Sequence, residues 1–349
     1  MTNNNKADVQ LQRISDTLIA SSDFLEDIGL LNGKTGIALF FFHLARATGD
    51  RKFEEYAGEL TDQTCESLQH VTSVDYAEEL AGFGAGMEYM IQQRFIDADA
   101  DEVLEDMDNV IREHTPYYLN STPETFVGLG KYFTKRLESK MNLTADNPNQ
   151  TCLSRIIQAL SCPYNTYGEL FSVIDFLSGV VPLGIEVEKT GVYLNYAVDK
   201  METMVYEDIH FGIYPGQFNP LIAATLLCRA SVKTGNKVYA DRAQQYLQLY
   251  EPDYRPHLSS NLQFNTLKWS FLYRYLGAWF QNSELLRLSE EWLYIALKKE
   301  FPRNLSVGLS CGYAGAGMYL LSLAGQCGDD WLDIVPCHVE KITHRIAVL

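Results

Sequence analysis

The sequence predicts an all-α protein built from helical hairpins, and three observations carry this prediction. Short glycine-containing turns recur along the chain, and each leads into an apolar helical run. The segments between these runs repeat apolar residues every three to four positions against a charged face, as helices packed on one side do. Strand signals are sparse, since only residues 185–194, "IEVEKTGVYL", fit a short strand.

Seven glycine-led runs follow one another about 40–55 residues apart, and a recurring spacing of this length is typical of repeat architectures. The runs begin at Leu30, Ala77, Thr125, Thr166, Ile213, Leu267 and Ser310. They are apolar nearly all round, as helices are when most of their surface is buried. One helix of each hairpin is therefore expected to be inner and the other outer.

Neither end of the repeat series shows a polar capping repeat of the kind that open arrays need. We therefore expect an α/α toroid, a closed double barrel of helical hairpins with seven inner helices, formed by residues 1–349 as a single domain. An open solenoid has the same repeat length and is the alternative. In the closed form, glycine lets the chain turn sharply into each inner helix, and the helix N-termini point at one shared cavity.

Charge, hydropathy and cysteine content exclude several classes of function. The formal net charge is −17 and the basic residues are not clustered, so we expect no nucleic-acid partner and no anionic-membrane surface. The chain shows no signal-peptide pattern and no apolar run of the roughly 18 residues that a membrane span needs, so a cytoplasmic location is predicted. The seven cysteines are expected to be free thiols. Cys337 and His338 are adjacent but lack partners at metal-site spacing, and are interpreted as structural.

Five of these segments resemble a known family. "GLLNGKTGIALFFFHLARATGD", "ELAGFGAGMEYM", "FVGLGKYF", "GIYPGQFNPLIAATLL" and "LSCGYAGAGMYLLSLAG" are similar to successive glycine motifs of lanthionine synthetase C-like proteins, over roughly residues 25–325. The resemblance implies an α/α toroid and, in active members, a zinc enzyme that adds peptide cysteine thiols to dehydroalanine or dehydrobutyrine to form thioether rings. Zinc lowers the pKa of the substrate thiol, and three protein ligands leave the fourth position open for its sulfur.

The zinc ligands that the resemblance implies are largely replaced in this chain. The Trp-Cys pair of the family falls on Trp269 and Ser270, and its Cys-His-Gly motif falls on Ser310, Cys311 and Gly312. Only Cys311 keeps a soft donor, and one thiolate beside two hydroxyls makes a poor zinc site. We therefore expect no cofactor, or zinc only if the usual family chemistry is retained, with Cys311 as the one candidate ligand.

The residues that the family is proposed to use for proton transfer are also replaced. Its histidine and its acid fall on residues that cannot take their roles, namely Pro215 with Gly216, and Ser121 or Thr122. The candidate catalytic residues that remain are Cys311 and His210, which lies five residues before Pro215. Cys311 precedes a helix, a position that suits a thiol exposed to the cavity to act as a nucleophile. A small buried thiol and a polar residue at a loop are the alternative interpretations of this pair.

Further polar and aromatic residues are expected at the mouth of the cavity, where they would contact a peptide. The candidate cavity residues are Asn32, Lys34, Tyr214, Trp269, Ser270, Tyr273, Ser310 and Tyr313. Helix capping is the alternative for Asn32 and Lys34. A place in the core is the alternative for the aromatic residues.

Two hypotheses of function follow. The first is an enzyme of peptide modification, a divergent lanthionine synthetase C-like cyclase in which Cys311 survives from the metal site. The second is a zinc-free relative whose cavity binds a peptide, as a scaffold beside other peptide-maturation enzymes. A carbohydrate-active enzyme is a third option for an α/α toroid, but it needs two carboxylates at a suitable separation.

Overall fold

The computed structural model describes residues 3–71, 73–121, 123–139, 146–211, 219–249, 262–298, 301 and 305–335. These residues contain fourteen α-helices and no strand, so the all-α prediction is confirmed for them. The helices are α1 Asn3–Ser22, α2 Lys34–Thr48, α3 Arg51–Ser67, α4 Leu80–Gln92, α5 Ala100–Tyr118, α6 Pro123–Glu138, α7 Pro148–Ala159, α8 Tyr167–Val180, α9 Val187–Phe211, α10 Asn219–Thr234, α11 Lys237–Leu249, α12 Leu262–Trp279, α13 Ser283–Lys298 and α14 Tyr313–Leu323. Short 3-10 helices span Leu68–His70, Val181–Leu183 and Asp330–Asp333.

The predicted short strand at residues 185–194 is wrong, because α9 begins inside it. Val187 and Val192, which read as part of a strand, are 69% and 61% exposed. The buried residues that follow are spaced for a helix: Leu194, Ala197, Val198 and Met201. A ten-residue alternation is a weaker signal than this longer helical period, and the period sets the structure.

The even-numbered helices from α2 to α14 form an inner set. In α2, every residue from Thr35 to Ala45 is buried, and α4 and α8 are buried over similar lengths. The odd-numbered helices bury only one stripe, as α3 does with Ala57, Leu60 and Thr64. The two kinds of helix therefore correspond to the two hydropathy patterns of the sequence.

Helix contacts follow the order of the chain. Each inner helix from α2 to α12 packs against the outer helix that comes next, and each inner helix also packs against the following inner helix. The last inner helix, α14, contacts both α12 and α2. Its outer neighbour is α1, from the start of the chain. The first helix therefore takes the position beside α14 that the second helix of a hairpin takes elsewhere.

Backbone hydrogen bonds join neighbouring turns at the start of the inner helices. The amides of Leu31 and Asn32, before α2, donate to the carbonyl of Ala77, before α4, at 3.0 and 3.1 Å. The amides of Leu309 and Ser310, before α14, donate to the carbonyl of Leu31 at 2.7 and 3.2 Å. The turn before α2 is thus bonded on one side to the second repeat and on the other to the last.

Glycine is required where these elements approach most closely. A Cβ atom on Gly82 of α4 would overlap the carbonyl oxygen of Tyr76, and one on Gly36 of α2 would overlap the carbonyl oxygen of Leu30. Both obstacles are backbone atoms, which cannot move aside as a flexible side chain can. Gly36 and Gly82 therefore set the distance between α2 and α4 and the turns that precede them.

Apolar residues from all fourteen helices join one buried cluster, which extends from Ala7 to Val335. A buried ionic group lies between α4, α5 and α6: Arg136 bonds Glu88 at 2.5 Å and Asp108 at 2.8 Å. Among the described helices, none combines the length and apolar character that crossing a membrane requires.

Two alanine substitutions are expected to change stability in opposite directions. Gly82→Ala forces a methyl group against backbone and should lower the free energy of unfolding by about 1–3 kcal/mol. The matched control is Gly58→Ala in α3, where a Cβ meets no atom within 4 Å; it should raise the free energy of unfolding by about 0.5–1 kcal/mol. Urea denaturation measures both. Stabilisation by Gly82→Ala would contradict the close packing described.

Candidate functional site

The turns before α2 and α14 share one backbone geometry. In each turn, the first helical amide donates to a carbonyl seven residues earlier: Lys34 to Asp27 at 2.9 Å, and Tyr313 to Ser306 at 2.8 Å. Cys311 therefore takes the place in the last turn that Asn32 takes in the first. Both residues are half-buried. The N-cap of α2 is Gly33, without a side-chain cap, so Asn32 does not cap this helix.

Cys311 has a hydroxyl as its polar neighbour. The Ser310 hydroxyl lies 3.5 Å from the Cys311 sulfur and donates to it. Within the part of the chain that the structure describes, no group of three or more His, Cys, Asp or Glu side chains is placed to hold a metal ion. As described, the site around Cys311 is a short polar surface of one thiol and one hydroxyl at the N-terminus of α14.

The candidate residues of α12 lie against its outer helix or in the core. The Ser270 hydroxyl donates to the carbonyl of Ser289 in α13 at 2.9 Å, and the Ser289 hydroxyl donates back to the carbonyl of Ser270 at 2.8 Å. Trp269 packs edge-on against Trp292, also in α13, with ring centroids 5.0 Å apart. Tyr273 is fully buried. Ser270 and Trp269 therefore contact α13, and the Ser270 hydroxyl is engaged there.

The other described candidates have partners of their own or stand on other helices. Lys34 donates to Gln63 of the outer helix α3 at 3.1 Å. Tyr313 is buried, which raises its pKa, and its ring centroid lies 5.7 Å from that of Phe301. His210 is exposed at the end of α9, and the described residues show no contact between it and Cys311. Several sequence candidates lie outside the described residues: Tyr214, Pro215, Gly216, Thr122, Cys337 and His338.

A cavity of about 50 Å³ lies between α8, α10, α12 and the end of the described chain. Its polar lining comes from Asp175, Thr225, Arg229, Lys268 and Ser310. Leu332 and Val335 contribute to its apolar lining. A space of this size accommodates a few water molecules at most. Of the residues singled out from the sequence, Ser310 is the one that reaches this cavity.

Residues 327–335, here called the C-terminal segment, occupy the space among the inner helices. Trp331 is fully buried and Ile334 is 1% exposed. The carbonyl of Ile334 accepts a hydrogen bond from the Tyr76 hydroxyl at 2.6 Å. The carbonyl of Asp333 accepts one from Lys131 of α6 at 3.0 Å. Side chains of the inner repeats therefore bind the backbone of this segment.

Ion pairs hold the same segment. Asp333 bonds Arg229 at 2.5 Å and Lys233 at 2.8 Å, both from α10. Burial would raise the pKa of Asp333, but Lys233 and Arg229 outweigh it and hold the pKa below its usual value. Lys131 also pairs with Asp175 of α8. Because each of these cations has a carboxylate partner, the charges can be buried together.

A hydrogen-bonded chain ties the start of the segment to α2 and α4. The Cys327 sulfur lies 3.3 Å from Nδ1 of His43, and Nε2 of His43 lies 3.1 Å from the Tyr89 hydroxyl. Tyr89 donates to Asp330 at 2.9 Å. The Tyr89 oxygen is thus left to accept from Nε2–H, so Nδ1 is the acceptor that faces the Cys327 thiol, and this thiol also donates to the carbonyl of Gly328 at 3.3 Å. Burial lowers the pKa of His43 to about 4, which keeps this imidazole neutral.

Charged residues within the apolar runs are a sequence feature that points to the ion pairs of the C-terminal segment, although no motif contains it. Lys131, Asp175 and Arg229 are charged residues inside otherwise apolar inner runs. A charge on a helix that is buried all round needs a partner. The missing partner was Asp333, which is more than a hundred residues further along the chain than Arg229.

The neutral state of His43 predicts a loss of stability in acid. The unfolded chain binds a proton at His43 below about pH 6.5, whereas the folded protein does so only near pH 4. Stability from this group is therefore complete above pH 6.5 and falls by about 3 kcal/mol as the pH drops to 4. Urea denaturation at several pH values measures the change. His43→Gln should flatten the profile in this window, and an unchanged slope would contradict the assignment.

The chain was also compared with known proteins. No protein-family model matches it, and a search of curated proteins found no match. The family resemblance therefore stays a prediction.

Proposed function

We propose that the chain forms a closed α/α toroid of seven helical hairpins, of the lanthionine synthetase C-like type. The contacts of α14 with both α12 and α2 support closure. The backbone bonds from Leu309 and Ser310 to Leu31 support it as well, because they join the last repeat to the first. An open solenoid leaves its terminal repeats without such neighbours.

Within this fold, the proposed function is zinc-independent binding of a peptide, in the setting of peptide modification. One observation carries it: the space among the inner helices already holds a peptide segment of this chain. Lys131 and Tyr76 bind two successive carbonyls of that segment, at 3.0 and 2.6 Å. Backbone carbonyls are common to all peptides, so the same kind of contact serves a peptide of another chain.

A zinc site of the family type does not fit the residues present. The resemblance sets its ligands at Ser270, Ser310 and Cys311. The Ser270 hydroxyl is buried and bonded to Ser289 on the outer helix. That leaves the Cys311 thiol and the Ser310 hydroxyl, and hydroxyls are not among the usual zinc donors. No step of the proposed function therefore passes through a metal ion.

The surface at the start of the inner helices is suited to bind a peptide without catalysing a reaction. Asn32, Ser310 and Cys311 offer an amide, a hydroxyl and a thiol from two neighbouring turns. These short groups can donate to and accept from an extended backbone. Other peptide-maturation enzymes as partners and a cytoplasmic location belong to the same proposal.

The metal content of the purified protein tests this proposal against the enzymatic one. Protein prepared without chelator or metal-affinity resin should carry well below one zinc per chain, and Cys311→Ala should not change that value. Plasma mass spectrometry measures the metal. About one zinc per chain, lost in Cys311→Ala, would contradict the proposal and favour thioether cyclisation.

Peptide binding is tested in parallel with a pool of labelled linear peptides rich in Cys, Ser and Thr. Cys311→Ala should bind as the original protein does, because no chemistry of the thiol is required. Cys311→Trp should weaken binding by about tenfold or more, since its bulk blocks the turn surface. Cys65→Trp, at an exposed thiol of α3, is the matched control. Equal binding by the two tryptophan variants would contradict the assigned surface.

A further inference from the structure

A surface pocket of about 330 Å³ lies where α2 ends, α3 begins and the loop after α4 passes. Three arginines line it: Arg46, Arg51 and Arg94. Two acidic residues, Asp50 and Glu54, line it as well. The pocket therefore has more cationic than acidic lining residues, in a chain with a formal net charge of −17. The residues of this pocket are separate from those of the proposed peptide site.

Arg46, on one wall of the pocket, makes two contacts with the loop after α4. The Arg46 guanidinium lies 3.7 Å from the ring centroid of Phe95, and that ring stacks on Phe42 at 5.3 Å with an interplanar angle of 20°. Nη2 of Arg46 donates to the carbonyl of Gln93 at 2.5 Å. The stack and the hydrogen bond fix the orientation of Arg46. A fixed guanidinium loses little conformational freedom when it binds a ligand.

The guanidinium groups of the other two arginines have no bonded partner among the described residues. Neither Arg51 nor Arg94 forms an ion pair or a side-chain hydrogen bond with the described residues. Of the two carboxylates, that of Asp50 accepts a hydrogen bond from the amide of Lys52 at 3.0 Å, as the N-cap of α3. None of the three guanidinium groups is thus bonded to a carboxylate of the described residues, since the partner of Arg46 is the main-chain carbonyl of Gln93.

Arg94 also has an unfavourable backbone conformation. Its φ is 58°, in the left-handed region, where it ends α4. Glycine fills such positions after α2 and α14, at Gly49 and Gly325, each with φ of 71°. Gln281, after α12, is a second exception, with φ of 52°. A side chain kept in this conformation is strained, and strain of this kind concentrates at functional positions.

We propose that this arginine pocket binds a small organic oxyanion with two or more negative charges. The planar fork of arginine matches carboxylate and phosphate oxygens, and Arg51 and Arg94 supply two such forks beside the fixed Arg46. The half-buried Phe95 ring, which lines the pocket, provides an apolar contact for the carbon part of the ligand. Phosphates and polycarboxylates share the recognised chemistry.

Isothermal titration calorimetry with pyrophosphate and, separately, with citrate tests the proposal in 150 mM salt. We expect saturable binding of at least one probe at one site per chain. Arg94→Gln should weaken that binding by about tenfold or more. Arg155→Gln, at an exposed arginine of α7, is the matched control and should change it less than about twofold. Tighter binding of pyrophosphate identifies a phosphate ligand, and tighter binding of citrate a polycarboxylate.

Arg94→Gly separates a binding role from a structural one. It should raise the thermal midpoint by roughly 1–2 °C, because glycine accepts the left-handed conformation without strain. It should also weaken binding of the probe as much as Arg94→Gln does. The proposal is overturned if neither probe binds at a saturable site, if the Arg155 control loses as much affinity, or if Arg94→Gly binds as the original protein does.

Discussion

The inner helices depend on the close backbone contact between neighbouring glycine turns. Gly29 and Gly308 occupy points where a Cβ would overlap backbone atoms of the adjacent repeat. The approach brings amides and carbonyls of successive turns within bonding distance, as between Leu309 and Leu31 at 2.7 Å. The first amides of α2 and α14, which lack side-chain caps, bond instead to carbonyls of their own turns, as Lys34 does to Asp27 and Tyr313 to Ser306. The short side chains of these turns, such as Cys311, remain available at their edge.

The C-terminal halves of the inner helices are held together by ion pairs and hydrogen bonds. His43, Tyr89 and Arg229 lie in the second halves of α2, α4 and α10, and all three contact the C-terminal segment. The segment brings acidic groups to buried cations, so that neither sign is left unpaired. Trp331 adds a fully buried apolar anchor between them. Ser310 and Val335 both line the small cavity beside this segment.

The sequence predicted well what depends on local pattern. The helical period and the glycine spacing located the inner and outer helices, because burial on all sides or on one side leaves a direct mark on hydropathy. The sequence predicted poorly what depends on the direction of side chains.

Ser270 and Trp269 both lie on α12 as expected, but each contacts α13 rather than a shared cavity. The pairing of Asp333 with Arg229 was also out of reach, because it joins residues far apart in sequence. The strand predicted at 185–194 is absent because α9 begins at Val187, and its long helical period outweighs a short alternation.

The proposed fold closes the helical repeats on themselves through α14 and α2, with α1 as the outer neighbour of α14. Amide hydrogen exchange followed by mass spectrometry tests it most directly, by comparing α2 and α14 with α8 in the middle of the series. A closed arrangement predicts that all three helices exchange at similarly slow rates, because each inner helix has two inner neighbours. Much faster exchange in α2 and α14 than in α8 is the behaviour of an open array with fraying ends, and would contradict closure.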